Sequence, residues 1–142
     1  MKLNIPKITQ ITLEQIETYD GYYDGQAYGD VQSNRFNIDL DIELIWSYGC
    51  NWHVDVDVTT NPISPILIIS NPGESYRVEA GKRQHLPTDQ PPGTLFALNV
   101  HKRHRLVNHE KVTDPWVALS DITETMDATE FGEYILKLES SL

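Results

Sequence analysis

"PILIISNPGESYRVEA", residues 65–80, sets an apolar run against a turn and a second strand-like run. "ILIIS" at 66–70 is short, rich in β-branched residues and uninterrupted by charge, as expected of a strand buried on both faces. "NPGE" at 71–74 supplies the proline and glycine of a turn. "SYRVEA" then alternates polar and apolar side chains, the period of a half-buried strand.

The same grammar extends in both directions. "RFNIDLDIELIW" at 35–46 alternates Phe36, Ile38, Leu40, Ile42 and Leu44 with Asn37, Asp39, Asp41 and Glu43. "NWHVDVDV" at 51–58 alternates again, with Val54, Val56 and Val58 on one face. A long loop, "GKRQHLPTDQPPG" at 81–93, precedes the strand-like "TLFALNV", and "WVALSDI" closes the set. About six short strands at spacings near ten residues, separated by proline and glycine turns, predict a mainly β sandwich or barrel.

Short helices are expected at both ends. Thr12 with Gln15 forms a capping box, stapled by Ile11 and Ile16, which predicts a helix from about Leu13 to Tyr19. "YDGYYDGQAYGD" at 19–30 reads as turns with exposed tyrosines. Asp127 and Glu130 begin a second helix, whose Phe131, Tyr134, Ile135 and Leu138 share one face and pack on the outside of the sheet. Trp46, Trp52 and Trp116 lie in apolar patterns and are assigned to the core.

With 142 residues the chain suits a single domain, residues 1–142, with its β core at about 35–121. Asp and Glu number 21 against 11 Lys and Arg, a formal charge of −10. That balance opposes phosphate backbones and anionic lipid, so neither direct nucleic-acid binding nor a membrane is expected, while a protein partner on the acidic surface stays open. The single cysteine, Cys50, excludes an intrachain disulfide framework, and no apolar leader or span is evident, so a cytoplasmic location is expected.

Chemistry concentrates on "HVD". Residues two apart on a strand share a face, so His53 and Asp55 project together. Imidazole plus carboxylate is one edge of the facial triad that holds non-heme Fe(II). Alternation alone is also what a half-buried strand with a wet face would show. A triad needs another histidine, and His85, His101, His104 and His109 are the candidates. His101 and His104 are three apart, so on one continuous strand only one of them reaches the site.

"HVD" at 53–55, "PILIIS", "PPGTLFALNVHKRHRLV" at 91–107 and "PWVALS" follow the order of the Fe(II)/2-oxoglutarate-dependent oxygenases, which this chain resembles over roughly residues 45–121. The resemblance implies a double-stranded β-helix, a jelly-roll or cupin-like barrel. It implies metal ligands His53, Asp55 and His104, the last lying eleven positions after Gly93 as in the family pattern. It implies hydroxylation of a small-molecule or protein substrate at Fe(II), with 2-oxoglutarate as cosubstrate. The family's basic residue near the start of the last strand is replaced here by Asp114 and Pro115, leaving Arg105, Lys111 or Arg77 to bind 2-oxoglutarate. The alternative is a cupin-like or jelly-roll module without catalysis that docks on a protein.

Overall fold

The computed structural model describes residues 1–17, 42–55 and 61–142, and the backbone of 32–35. Helix α1 (Pro6–Glu17) is followed by strands β1 (Gln32–Arg35), β2 (Ile42–Ser47), β3 (Cys50–His53), β4 (Ile63–Ser70), β5 (Tyr76–Ala80), β6 (Leu95–Asn99), β7 (His104–Asn108) and β8 (Trp116–Asp121), then helix α2 (Ala128–Ser141). A single 3-10 turn, Pro72–Glu74, joins β4 to β5 where "NPGE" predicts a turn.

Two antiparallel sheets result, in the orders β1-β2-β8-β4-β6 and β3-β7-β5. From β2 to β8 successive strands alternate between the larger sheet and the smaller one. The expected barrel is corrected here: among the described residues the sheets face each other with separate edges and do not close into one ring.

The larger sheet is buried on both sides, and its strand sequences explain why. Along β4, Leu67 and Ile69 join Ile8, Phe131 and Ile135 under the two helices, while Ile66 and Ile68 pack toward the smaller sheet with Tyr76, Val78 and Leu106. β8 divides in the same way, Val117 and Leu119 to the helix side and Trp116 and Ala118 to the other. Each such fully buried side chain contributes about 1.5–3 kcal/mol relative to exposure, so the helix–sheet–sheet sandwich is held mainly by these two apolar layers. On β2, Ile42, Leu44 and Trp46 face the helices. Glu43, Ile45 and Ser47 therefore face the smaller sheet, which puts a carboxylate on an inward position.

Helix α2 begins as its sequence predicts: the Asp127 carboxylate accepts from Glu130 N at 2.8 Å and the Glu130 carboxylate from Asp127 N at 3.2 Å. Helix α1 does not. It starts seven residues before Leu13, at Pro6, and Thr12 is a buried mid-helix residue whose hydroxyl donates to Ile8 O at 2.7 Å. The first-turn donors Lys7 N and Ile8 N are satisfied instead by Glu139 of α2, at 2.8 and 2.9 Å. Proline preset for a helix start and a carboxylate from distant sequence outcompete the local box.

β7, which the sequence reading leaves as a polar stretch after "TLFALNV", is the central strand of the smaller sheet. Arg105 lies between its buried His104 and Leu106, and with Lys102 and Arg103 just before the strand it obscures the inward period in the sequence. The 81–93 loop is tied down by Gln90, whose buried amide accepts from Val78 N at 2.8 Å and donates to Val78 O at 3.0 Å, acting as a neighbour for the edge of β5. Gly93 (φ +93°) lets the N-terminal segment approach: a Cβ there would lie 2.6 Å from Leu3 O, which no L side chain tolerates. The tyrosine-rich stretch 19–30 and the predicted strand residues 36–41 and 56–58 lie outside the described residues.

Candidate metal centre

His53 ends β3 and His104 begins β7, and the two are direct cross-strand partners. Their rings lie 4.3 Å apart between centroids. Asp55 follows the end of β3, anchored by its N–H to Val100 O at 2.8 Å. The alternation of "HVD" runs in the opposite sense to an ordinary amphipathic strand, since Val54 is 44 % exposed and the His53–Asp55 face is turned inward. Trp52, expected in the core, shares the outer face at 37 % exposure, whereas Trp46 and Trp116 are buried as expected.

One nitrogen or oxygen from each of His53, Asp55 and His104 lies within 4.8 Å of the others. His53 Nε2 is 3.5 Å from Asp55 Oδ1, and His104 Nε2 is 3.1 Å from Asp55 Oδ2. Behind each ring, Nδ1 meets the carbonyl of the residue two positions earlier, Asn51 O at 2.7 Å and Lys102 O at 2.8 Å. A carbonyl only accepts, so Nδ1 of both rings carries hydrogen and Nε2 is the atom left to bind a metal. This is the outer hydrogen bond that metal-ligating histidines make, already in place on both rings.

The charges agree with that geometry. Burial opposes ionisation of Asp55, but the hydrogen bond from His104 and the fields of His104, His53 and His101 outweigh it and hold the carboxyl below 3.8. Burial also opposes charge on His104, yet the hydrogen bond to Asp55, the Lys102 carbonyl and the Asp55 charge raise its pKa above 6.5. Two neutral Nε2 lone pairs facing a carboxylate would repel it, so the cluster is built to hold a positive charge there. A proton on His104 is one way to supply it; a divalent cation is another. Two imidazoles and one carboxylate are donors suited to Fe(II), Mn(II) or Zn(II).

His53, Asp55 and His104 line a cavity of about 530 Å³ between the sheets. Its apolar wall includes Ile45, Ile66, Leu98 and Leu106, and its carboxylates include Glu43 and Glu124. Asp121, also in the wall, spends its oxygens on the turn that follows β8, accepting from the backbone N–H groups of Thr123, Thr125 and Met126. Trp116 lines the cavity as well, and its indole N–H is buried without a hydrogen-bond partner among the described residues.

Of the histidine candidates, His104 joins the cluster, while His85, His101 and His109 do not; the field of His101 acts on Asp55. The basic candidates separate too. Arg105 lines the cavity, but its guanidinium pairs with Glu79 at 2.6 Å and lies over the Trp52 ring at 4.6 Å. Arg77 is exposed on β5 and Lys111 sits in the turn after β7, neither at the cavity wall. Where the resemblance places an anchor for 2-oxoglutarate, Asp114 O accepts the Tyr76 hydroxyl at 2.9 Å. The inward Glu43 and the two carbonyl locks escape sequence reading, the locks because backbone atoms of Asn51 and Lys102 make them. Compared with known protein families, curated proteins and solved structures, the chain matches none.

Proposed function

We propose that this chain is a mononuclear non-heme Fe(II) oxygenase on a jelly-roll scaffold, with His53, Asp55 and His104 as its metal ligands. The strand order supports the scaffold. β2 lies beside β8 and β4 beside β6 in one sheet, β3 beside β7 in the other, and from β2 to β8 the chain crosses between sheets at each step, as a double-wound jelly roll does.

The observation that carries the metal assignment is the pair of Nδ1-to-carbonyl bonds, which turn both Nε2 atoms toward one carboxylate. Two imidazoles held at Nδ1 around a partly buried acid make a donor set that suits a metal ion. When bound, Fe(II) supplies redox chemistry toward O₂ that no side chain here can perform. The chain's own residues would hold it, with Nδ1 of His53 and His104 tied to backbone carbonyls so that Nε2 faces the metal, and shelter the apolar part of a substrate against Ile45, Ile66 and Leu98. Among the described residues lining the cavity, Arg105 is the one Lys or Arg, and Glu79 and Trp52 engage it. Fe(II) is therefore the bound cofactor and dioxygen a reactant, the electrons for its reduction coming from the organic substrate, and 2-oxoglutarate is assayed as a further electron donor.

Oxygen uptake by the Fe(II)-loaded chain tests this directly. Consumption above that of free iron, lost in His53→Ala and unchanged in His109→Ala, is the expected result. Uptake equal to free iron, with or without 2-oxoglutarate, refutes the oxygenase reading.

A further inference from the structure

The whole-chain charge of −10 conceals a polarised surface. Residues 77–105 hold six of the eleven Lys and Arg (Arg77, Lys82, Arg83, Lys102, Arg103 and Arg105) against two acids, Glu79 and Asp89. The fold then gathers them. β5 ends at Ala80, the cross-strand partner of His104, so the "GKR" that follows β5 and the "HKR" that precedes β7 emerge side by side. Gly81 N donates to Arg103 O at 3.2 Å. Gln84, just after "GKR", ties to the end of β6 just before "HKR", donating from Nε2 to Asn99 O at 3.2 Å and accepting from Asn99 N at 2.8 Å. Lys82, Arg83, Lys102 and Arg103 are all exposed on this clamped rim.

An aromatic ring stands among the cations. Trp52 is 37 % exposed on the outer face of the smaller sheet, with the guanidinium carbons of Arg103 and Arg105 at 5.1 and 4.6 Å from its ring centroid. Cations alone would suit any polyanion, including an acidic peptide. With both guanidinium groups over the half-exposed indole, planar cations and an aromatic ring form one stack on which a base can lie, a platform that bases use and carboxylates do not. Charges farther than a Debye length, about 8 Å at physiological ionic strength, are largely screened, so the local balance of charge counts for more than the net −10, and the nearby Glu79 is engaged by Arg105.

We propose that this rim, Lys82, Arg83, Lys102 and Arg103 with Trp52, binds single-stranded nucleic acid. Phosphates lie along the cations while a base stacks on Trp52. The inference is independent of the metal centre, which lies on the opposite face of the sheet, and is tested with chelator present.

Fluorescence anisotropy of a labelled oligothymidylate of about 15 nucleotides, titrated with the full chain at low and at physiological salt, is the measurement. Binding that weakens steeply with salt is expected, with a loss of about tenfold or more in the triple charge reversal Lys82→Glu, Arg83→Glu, Lys102→Glu. Trp52→Leu should weaken binding by about tenfold and abolish the quenching of tryptophan emission on binding. Thermal unfolding confirms that these surface variants fold. No binding by the wild type at low salt, or full affinity in the triple variant, overturns the proposal. So does an acidic peptide that binds the rim and displaces the oligonucleotide at lower concentration, which would make the face a protein-docking surface.

Discussion

Replacing Asp55 by Asn in the metal-free protein should convert a pH-dependent stability into a flat one. The Asp55 carboxyl sits below 3.8 and the His104 imidazole above 6.5. A lowered carboxyl stabilises the fold above its unfolded value and loses that contribution as pH falls through its folded one. A raised imidazole stabilises fully below its unfolded value and loses the contribution as pH rises through its folded one. The pair therefore contributes most between 3.8 and 6.5 and declines on either side. A charge-assisted hydrogen bond is worth about 1.5–3 kcal/mol, and the 31 % exposure of Asp55 moves that toward about 1–2 kcal/mol. Near neutrality and above, the Asn amide can donate to neutral His104 Nε2, which a carboxylate cannot do. Urea denaturation with chelator present should thus find Asp55→Asn less stable by about 1–2 kcal/mol near pH 6, with the gap closing toward pH 9. A gap of constant size across that range would refute the ion-pair account of the cluster.

Other perturbations probe the ligands and the scaffold. His104→Ala should weaken divalent-metal binding by more than the roughly 100-fold that loss of an outer hydrogen bond costs, while His101→Ala leaves metal affinity within a few-fold by calorimetry. Gly93→Ala, forced to hold φ near +93° with its Cβ against Leu3 O, should cost about 1–3 kcal/mol in denaturant melts. Glu139→Ala removes both acceptors at the start of α1 and should cost about 1 kcal/mol, with amide exchange rising first at Lys7 and Ile8.

What the sequence made legible follows from how local each signal is. "ILII" and "WVAL" could be read because two-sided burial leaves no polar position along them, and Asp127 with Glu130 because both halves of that box lie within one turn. The true start of α1 was hidden because its cap, Glu139, comes from the other end of the chain. Trp52 was misplaced for a related reason: an apolar neighbourhood in sequence does not reveal that β3 turns its polar side inward. The candidate ligands were legible through the x-spacing of "HVD" and the family-like interval to His104. Their outer hydrogen bonds were not, since any residue could supply those carbonyls. "HKRHR" is legible as a local basic run despite the net charge, but only the pairing of β5 with β7 brings "GKR" beside it.

The central claim is that His53, Asp55 and His104 form a single divalent-metal site. Anaerobic calorimetric titration of the chelator-treated chain with Fe(II), repeated in two buffers of different ionisation enthalpy near pH 6, tests it most directly. The account predicts one metal per chain, release of a proton as His104 gives up its hydrogen at Nε2, and loss of the transition in His53→Ala and in His104→Ala. Binding that survives in both variants, or no saturable binding by the wild type, would contradict it.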